Sequence, residues 1–263
     1  MGLSDATVAA LGAALYEARV NRQPVDPLTA AHPEMDVADA YRVQQDLVAR
    51  LLADGDRIVG YKLGLTSAPM QQLLGVDSPD FAPVLASHVH QDGATVAADG
   101  FIAPRLEAEI ALVLEADLAG PDCDPAAVAK AVGAARPALE IVDSRIRDWQ
   151  ITLADTIADL ASSGAVVLGT DATPVDGSYQ LRLVGMAFSR DGTVFATGAG
   201  AASLGDPLAA VAWLANALHP FGERLRAGQF VMTGSLHGAV PIAPGERYLA
   251  EFDRLGAVSV TIG

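Results

Sequence analysis

Basic residues are scarce: 17 lysines and arginines stand against 32 aspartates and glutamates, a formal net charge of −15. A field of that sign repels polyphosphates, and no basic stripe is present to release counterions, so nucleic acid is excluded as a partner. A small anionic substrate would also be repelled at long range, and needs a local cation or positive side chain to draw it in. Cysteine is nearly absent. The single Cys123 cannot form an internal disulfide, and in "GPDCDP" it stands among turn residues and acids that do not lower a thiol pKa, so it reads as an inert loop residue. Aromatics are only 5% against 51% hydrophobic residues, which leaves Ala, Val, Leu and Ile to build the core. No run approaches the ~20 apolar residues a membrane span requires. The opening "MGLSDATVAALGAALYEARV" lacks a basic start, carries Asp5 and Glu17, and has Ala6 where a myristoylation signal needs Ser or Thr. The expected location is the cytoplasm. Internal repeats and low-complexity segments are missing as well.

At 263 residues the chain is long enough for a small segment plus one large domain. Helical periodicity predicts a helix near Asp5 to Arg19. A second follows in "DVADAYRVQQDLVARLLADG", where Ala40, Tyr41, Leu47, Val48 and Leu51 share a face, Asp36 caps and Gly55 stops. A proline-containing link separates the two, and the boundary of this N-terminal helical section (1–57) falls near residue 57. The texture of 58–263 is different. Short β-branched or alternating runs read as strands: "RIVGYKLGL", "IALVLE", "GAVVLG", "LRLVGMAFS", "FVMTGS" and "VSVTI". "SRDGTVF" carries a hairpin Asp-Gly pair. Helices are predicted from Pro125 to about Ala135, capped by Asp124, and from Pro207 to Leu218, capped by Asp206, each with proline at its first position. Strands outnumber helices and come in clusters, so the fold class is α+β with a large, mostly β core.

In "RLEAEIALVLE" (105–115) a strand would turn Glu107 and Glu109 to one face, roughly 7 Å apart at Cα, whereas a helix would separate them by about 200°. Two carboxylates on a half-buried face hold a proton between them or bind a cation. A solvated edge-strand face explains the pair equally well. Glu140, a third lone acid among apolar residues in "RPALEIVDSR", shifts the weight. With no Cys or clustered His, the three form an all-oxygen set suited to Mg²⁺ or Mn²⁺. Lys62 in "IVGYKLGLTS" is a lysine in an apolar strand; buried lysines have lowered pKa values, although one that snorkels to the surface is the commoner case. "GAGAAS" (198–203) lacks the third glycine of a dinucleotide loop, "GSLHG" (234–238) reads as a glycine-rich loop, and His88 and His90 read as surface residues.

Together "GYKLGLTS", "MQQLLGVDSPDFAPV", "PRLEAEIALVL", "PALEIVDSRIRDW", "DTIAD", "DPLAAVAWLA" and "GQFVMTGSL" make nearly the whole chain resemble the hydratase and decarboxylase branch of the fumarylacetoacetate hydrolase superfamily. The resemblance implies a mixed β-sandwich roll behind a small N-terminal helical section, and a divalent metal, Mg²⁺ or Mn²⁺, held by Glu107, Glu109 and Glu140. It implies that Lys62 and Asp80 move protons and that Leu65, Asp159 and Ser235 support the substrate. The implied activity is hydration of 2-hydroxypenta-2,4-dienoate to 4-hydroxy-2-oxopentanoate in aromatic meta-cleavage catabolism. Decarboxylation of 4-oxalocrotonate is the alternative, and a catalytically silent partner subunit or a 2-oxo acid binding protein is a second. A homo-oligomer, and association with a sister decarboxylase or a downstream aldolase, are implied in the same way. One departure stands out: the family pattern "DNAS" is here "DLAS", so Leu160 replaces an amide and could alter specificity.

Overall fold

The computed structural model describes residues 2–67, 71–72 and 75–263; Met70, Leu73 and Leu74 of the "MQQLLGVDSPDFAPV" motif lie outside them. Ser4 caps helix α1 (Asp5–Asn21) by accepting from the Thr7 amide, a single turn α2 (Leu28–Ala31) follows, and Asp36 caps α3 (Val37–Ala53) by accepting from the Asp39 amide. Helix α3 is tied to the rest of the chain through Gln44, whose amide donates to the carbonyls of Phe81 at 3.0 Å and Ile157 at 2.7 Å, and through Tyr41 stacked on Phe81. None of the described helices is long and apolar enough to cross a membrane.

Two mixed sheets follow. The larger runs in the spatial order β2 (Asp80–Leu85), β1 (Ile58–Gly64), β11 (Phe230–Met232), β5 (Arg105–Leu114), β6 (Val132–Val142), β7 (Ser163–Leu168) and β3 (Val89–Gln91), with β12 (Val240–Pro241) added on β5 and β8 (Thr173–Pro174) on β6. The smaller runs β10 (Thr193–Ala199), β9 (Gly185–Arg190), β13 (Arg247–Phe252), β14 (Gly256–Ile262) and β4 (Ala94–Val96). Val84 of β2, Ala111 of β5, Val166 of β7 and Met232 of β11 meet in one apolar cluster, with Val89 of β3 packed against it. Residues from both edges of the large sheet touch there, so the sheet is rolled on itself and the cluster fills one end of its interior. The alternation of β5 sends Leu106, Ala108, Ile110, Leu112 and Leu114 outward into the main core, which the helices and the second sheet complete. Glu107 and Glu109 therefore face the interior of the roll.

The architecture is the α+β fold read from the sequence, and four local features differ. The helix predicted from Pro125 to about Ala135 ends at Ala131, because residues from Val132 onward pair with β5 along a long antiparallel ladder that outweighs the helix preference of the alanines. "LRLVGMAFS" begins as a 3₁₀ turn, Leu181–Leu183, and becomes a strand only at Gly185. Strand β2 escapes sequence reading because Pro83 sits in it, which is tolerated because β2 is an edge strand. His88 is half-buried, with Nε2 2.7 Å from Arg19 Nη2, and burial together with that guanidinium pushes its pKa down to about 3, so it is neutral. The predicted Asp191-Gly192 hairpin is present, both residues having positive φ.

Gly60 controls how β1 joins the roll, since a Cβ there would collide with the Phe230 carbonyl of β11. Gly60→Ala is expected to lower stability by about 1–3 kcal/mol through overpacking, read as a lower urea midpoint with an unchanged slope; an unchanged midpoint would show that the pair of strands yields without cost.

Candidate active site

The ladder between β5 and β6 sets Glu107 directly opposite Glu140, and Glu109 follows two residues on along the same face. Their carboxylates come together, with one oxygen from each within 4.8 Å of the others. Lys62 enters from β1, two strands away, in register with Met232 of β11, and its Nζ lies 3.4 Å from Glu140 Oε2 and donates to the Ala161 carbonyl at 2.9 Å. Asp80 heads β2 in register with Gly64. Gly64 is required at that spot because a Cβ would overlap the Asp80 carboxylate beside the lysine. Gly234 has φ +104, would collide with Thr66 if it carried a Cβ, and donates its amide to Glu109 Oε2 at 2.8 Å. Both glycines are close-approach positions.

The electrostatics follow from burial. Glu109 and Glu140 are fully buried, and Lys62 and Asp80 nearly so. Desolvation, then the neighbouring Glu140, pushes Glu107 up to about 7; the same two causes hold Glu109 well above the carboxylate range. Glu140 and Asp80 are raised by burial and partly brought back by Lys62. For Lys62, burial lowers the pKa, but Glu140, Asp80, Glu107 and Glu109 together outweigh it and the net shift is upward. The downward shift expected of a buried lysine is therefore reversed: four carboxylates surround the ammonium.

Beside the lysine the chain is strained. Leu160, Ala161 and Ser162 all have positive φ, a conformation non-glycine residues avoid, and the turn they form presents the Ala161 carbonyl to Lys62. Arg145 brackets this turn. Its guanidinium donates to the Asp159 carbonyl at 2.5 Å before the turn and to the Ser163 carbonyl at 2.9 Å after it, while Nε pairs with Asp159 Oδ1 at 2.5 Å. Asp159 also accepts from the Arg145 amide at 2.8 Å. The structure thus places Asp159 on Arg145, behind the turn, rather than on the cavity surface expected of a substrate contact; burial raises its pKa to about 6 despite Arg145. Leu160 packs into the core and does not line the cavity, so the leucine of "DLAS" lies behind the site and not on the wall where an effect on specificity was expected.

Glu107 and Asp80 open on a cavity of about 390 Å³ that Lys62, Leu65, Arg105 and Ser235 also help to line. Leu65 has φ +56, and the Ser235 hydroxyl donates to the His237 carbonyl at 2.5 Å. His237 reaches the cavity from the "GSLHG" loop, yet both its nitrogens are occupied: Nε2 accepts from the Ala108 amide at 3.0 Å and Nδ1 donates to the Gly238 carbonyl at 2.6 Å. Burial lowers its pKa, so it is a neutral structural histidine. Sequence reading passed over Arg145, His237 and the 160–162 turn; the lone arginine in "EIVDSR" was the available hint.

Glu109 Oε1, Glu140 Oε1 and Oε2, and Asp80 Oδ1 are buried without a hydrogen-bond donor. Orphaned oxygens on Glu109 and Glu140, with a Glu107 oxygen within 4.8 Å of them, are the donor set of a hard divalent cation, and these three glutamates fit that role. An acid whose pKa is raised by folding contributes stability that is lost as pH climbs through the folded value. In EDTA, Tm is therefore expected to fall as pH rises from about 4.5 through about 7, the range set by Glu107. Excess Mg²⁺ should raise Tm by an increment that grows over the same interval, because the cation takes the deprotonated ligands; a pH-independent increment would contradict the assignment. Arg145→Met strands Asp159 in the interior and is expected to cost about 3–5 kcal/mol, measured by chemical denaturation.

A family model described as fumarylacetoacetate (FAA) hydrolase C-terminal matches residues 58–263. The chain is 42% identical over 251 residues to 2-hydroxyhexa-2,4-dienoate hydratase of Comamonas testosteroni, covering 95% of each protein. It is 43% identical over 245 residues to 2-keto-4-pentenoate hydratase of Paraburkholderia xenovorans strain LB400, covering 93% of this chain and 90% of that one. Its structure is similar to that of 4-oxalocrotonate decarboxylase from Pseudomonas putida G7, complexed with magnesium and adipate, with TM-score 0.96, 37% identity and 99% of both chains covered. On the family match and the near-complete alignments, the chain belongs to the fumarylacetoacetate hydrolase family.

Proposed function

We propose that the protein is a divalent-metal-dependent hydratase that converts 2-hydroxypenta-2,4-dienoate to 4-hydroxy-2-oxopentanoate, with Glu107, Glu109 and Glu140 as the metal ligands. The observation that carries this reading is the cluster of three buried carboxylates, with orphaned oxygens on Glu109 and Glu140, behind a cavity that Glu107, Lys62 and Asp80 line, in a chain more than two-fifths identical to hydratases of this kind. A bound cation, Mg²⁺ or Mn²⁺, would attract the 2-oxo acid and stabilise enolate charge at its C2 oxygen.

The chemistry asks for four proton movements. The dienol loses its hydroxyl proton and gains one at C5, giving an unsaturated ketone; water then adds at C4, loses a proton, and C3 gains one. Lys62, kept as an ammonium by the surrounding carboxylates, is suited to donating toward the substrate oxygen rather than to acting as the resting base. Asp80, raised by burial and with Oδ1 free of any donor, is suited to taking a proton from water and returning it to carbon. Leu65 and Ser235 shape the cavity around the chain of the substrate.

A second reading, 4-oxalocrotonate decarboxylation, draws support from the structural likeness to the Pseudomonas decarboxylase. The two differ in which end of the substrate the cavity satisfies. The test is to give Mg²⁺-loaded protein freshly made 2-hydroxypenta-2,4-dienoate and follow the dienol absorbance. Metal-dependent loss with 4-hydroxy-2-oxopentanoate formed is expected, abolished in Glu107→Gln and about 10²–10⁴-fold slower in Lys62→Met. No reaction with this substrate, with CO₂ released from 4-oxalocrotonate, would replace the hydratase assignment by the decarboxylase one.

A further inference from the structure

Two fixed cations line the cavity, Lys62 and Arg105, and of the two only Lys62 is paired with a carboxylate of the protein among the described residues. Lys62 is held by Glu140 and the Ala161 carbonyl. Among the described residues no carboxylate lies within ion-pair distance of the Arg105 guanidinium, although the chain has 32 acids. Arg105 opens β5, one two-residue step before Glu107 on the same face, roughly 7 Å away at Cα. What holds it is an indole. Its guanidinium lies 4.4 Å from the centre of the Trp149 ring, and Trp149 is itself pinned by its Nε1 donating to the Ala103 carbonyl at 2.9 Å.

The backbone under that tryptophan is unusual, with Asp148 at φ +55 and Trp149 at φ +56. Left-handed non-glycine residues persist where their surroundings over-determine them, commonly at binding sites. A guanidinium held over an aromatic ring, with no carboxylate of the protein paired to it, keeps N–H groups for a ligand carboxylate, which it can receive through two parallel hydrogen bonds.

We propose that Arg105, braced by Trp149, receives the C1 carboxylate of the substrate, and that with no further cation among the described residues of the cavity wall the site selects short-chain 2-oxo monocarboxylates over diacids. This inference rests on the reading of the site as one for a 2-oxo acid. The rest of the described lining is uncharged or acidic: Leu65, Val142 and Ile151 suit an apolar chain end, and Asp148, Asp80 and Glu107 would repel a second carboxylate.

The test is calorimetric binding of 2-oxopentanoate and of 2-oxohexanedioate to Mg²⁺-loaded wild-type, Arg105→Met and Arg105→Lys proteins, with Mg²⁺ affinity measured separately as a check that the ligand set is intact. Wild type is expected to favour the monoacid. Arg105→Met should bind 2-oxopentanoate about 10- to 100-fold more weakly while retaining Mg²⁺, and Arg105→Lys should recover part of the loss because charge returns without the planar fork. Unchanged 2-oxopentanoate affinity in Arg105→Met overturns the proposal, as does a loss confined to the diacid, which would place Arg105 at the far end of the substrate. Wild-type protein that binds Mg²⁺ but neither acid would instead overturn the proposed function, and this inference with it.

Discussion

The structure turns on negative charge buried at the mouth of a rolled sheet. Glu107, Glu109 and Glu140 are brought together by ladder register, and separating them would require slipping β5 against β6 by one residue, which would turn every apolar residue of β5 away from the core. The cluster is thus held by the same alternation that builds the hydrophobic interior. Lys62 offsets part of its charge, and several carboxylate oxygens remain without a donor. In a protein of net charge −15, this is where a cation is required both to relieve desolvated carboxylates and to attract an anionic substrate that the overall field repels.

Holding the site carries a conformational cost that neighbouring groups offset. Three consecutive left-handed residues, Leu160 to Ser162, expose the carbonyl that anchors Lys62, and the fully buried Arg145 ties both ends of that turn while neutralising Asp159. Gly64 and Gly234 allow backbone to approach the Asp80 carboxylate and the Thr66 side chain more closely than any other residue would permit. These positions are poor for stability taken singly, and they sit together around one cavity, as strain does when it serves binding.

Hydratase and decarboxylase relatives share this framework, so the framework alone does not separate the two reactions. Discrimination falls to groups on the cavity wall that touch the ends of the substrate. Arg105 over Trp149 is a candidate at one end, and Leu65, Val142 and Ile151 are further residues of that wall. Leu160, where the sequence reading expected an amide, packs away from this wall.

Much was legible in the chain itself. Period-two alternation in 105–115 places Glu107 and Glu109 on one face, and caps at Asp36, Asp124 and Asp206 mark helix starts, because both are local consequences of residue chemistry. Charges standing alone in apolar runs marked Glu140 and Lys62, and the resemblance across several motifs added Asp80. What stayed hidden depended on partners distant in sequence. Residues 132–135 became strand because β5 was available to pair with them. Pro83 could occupy a strand because that strand lies at an edge. Lys62 moved up rather than down in pKa because four carboxylates converge on it, and Asp159 turned to Arg145 instead of the cavity. Sequence by itself determined which faces are apolar and which residue types could carry the chemistry, since those follow from spacing along the chain. Only tertiary structure decided which charges meet and which are left unpaired, since desolvation and Coulomb interaction depend on distances through space.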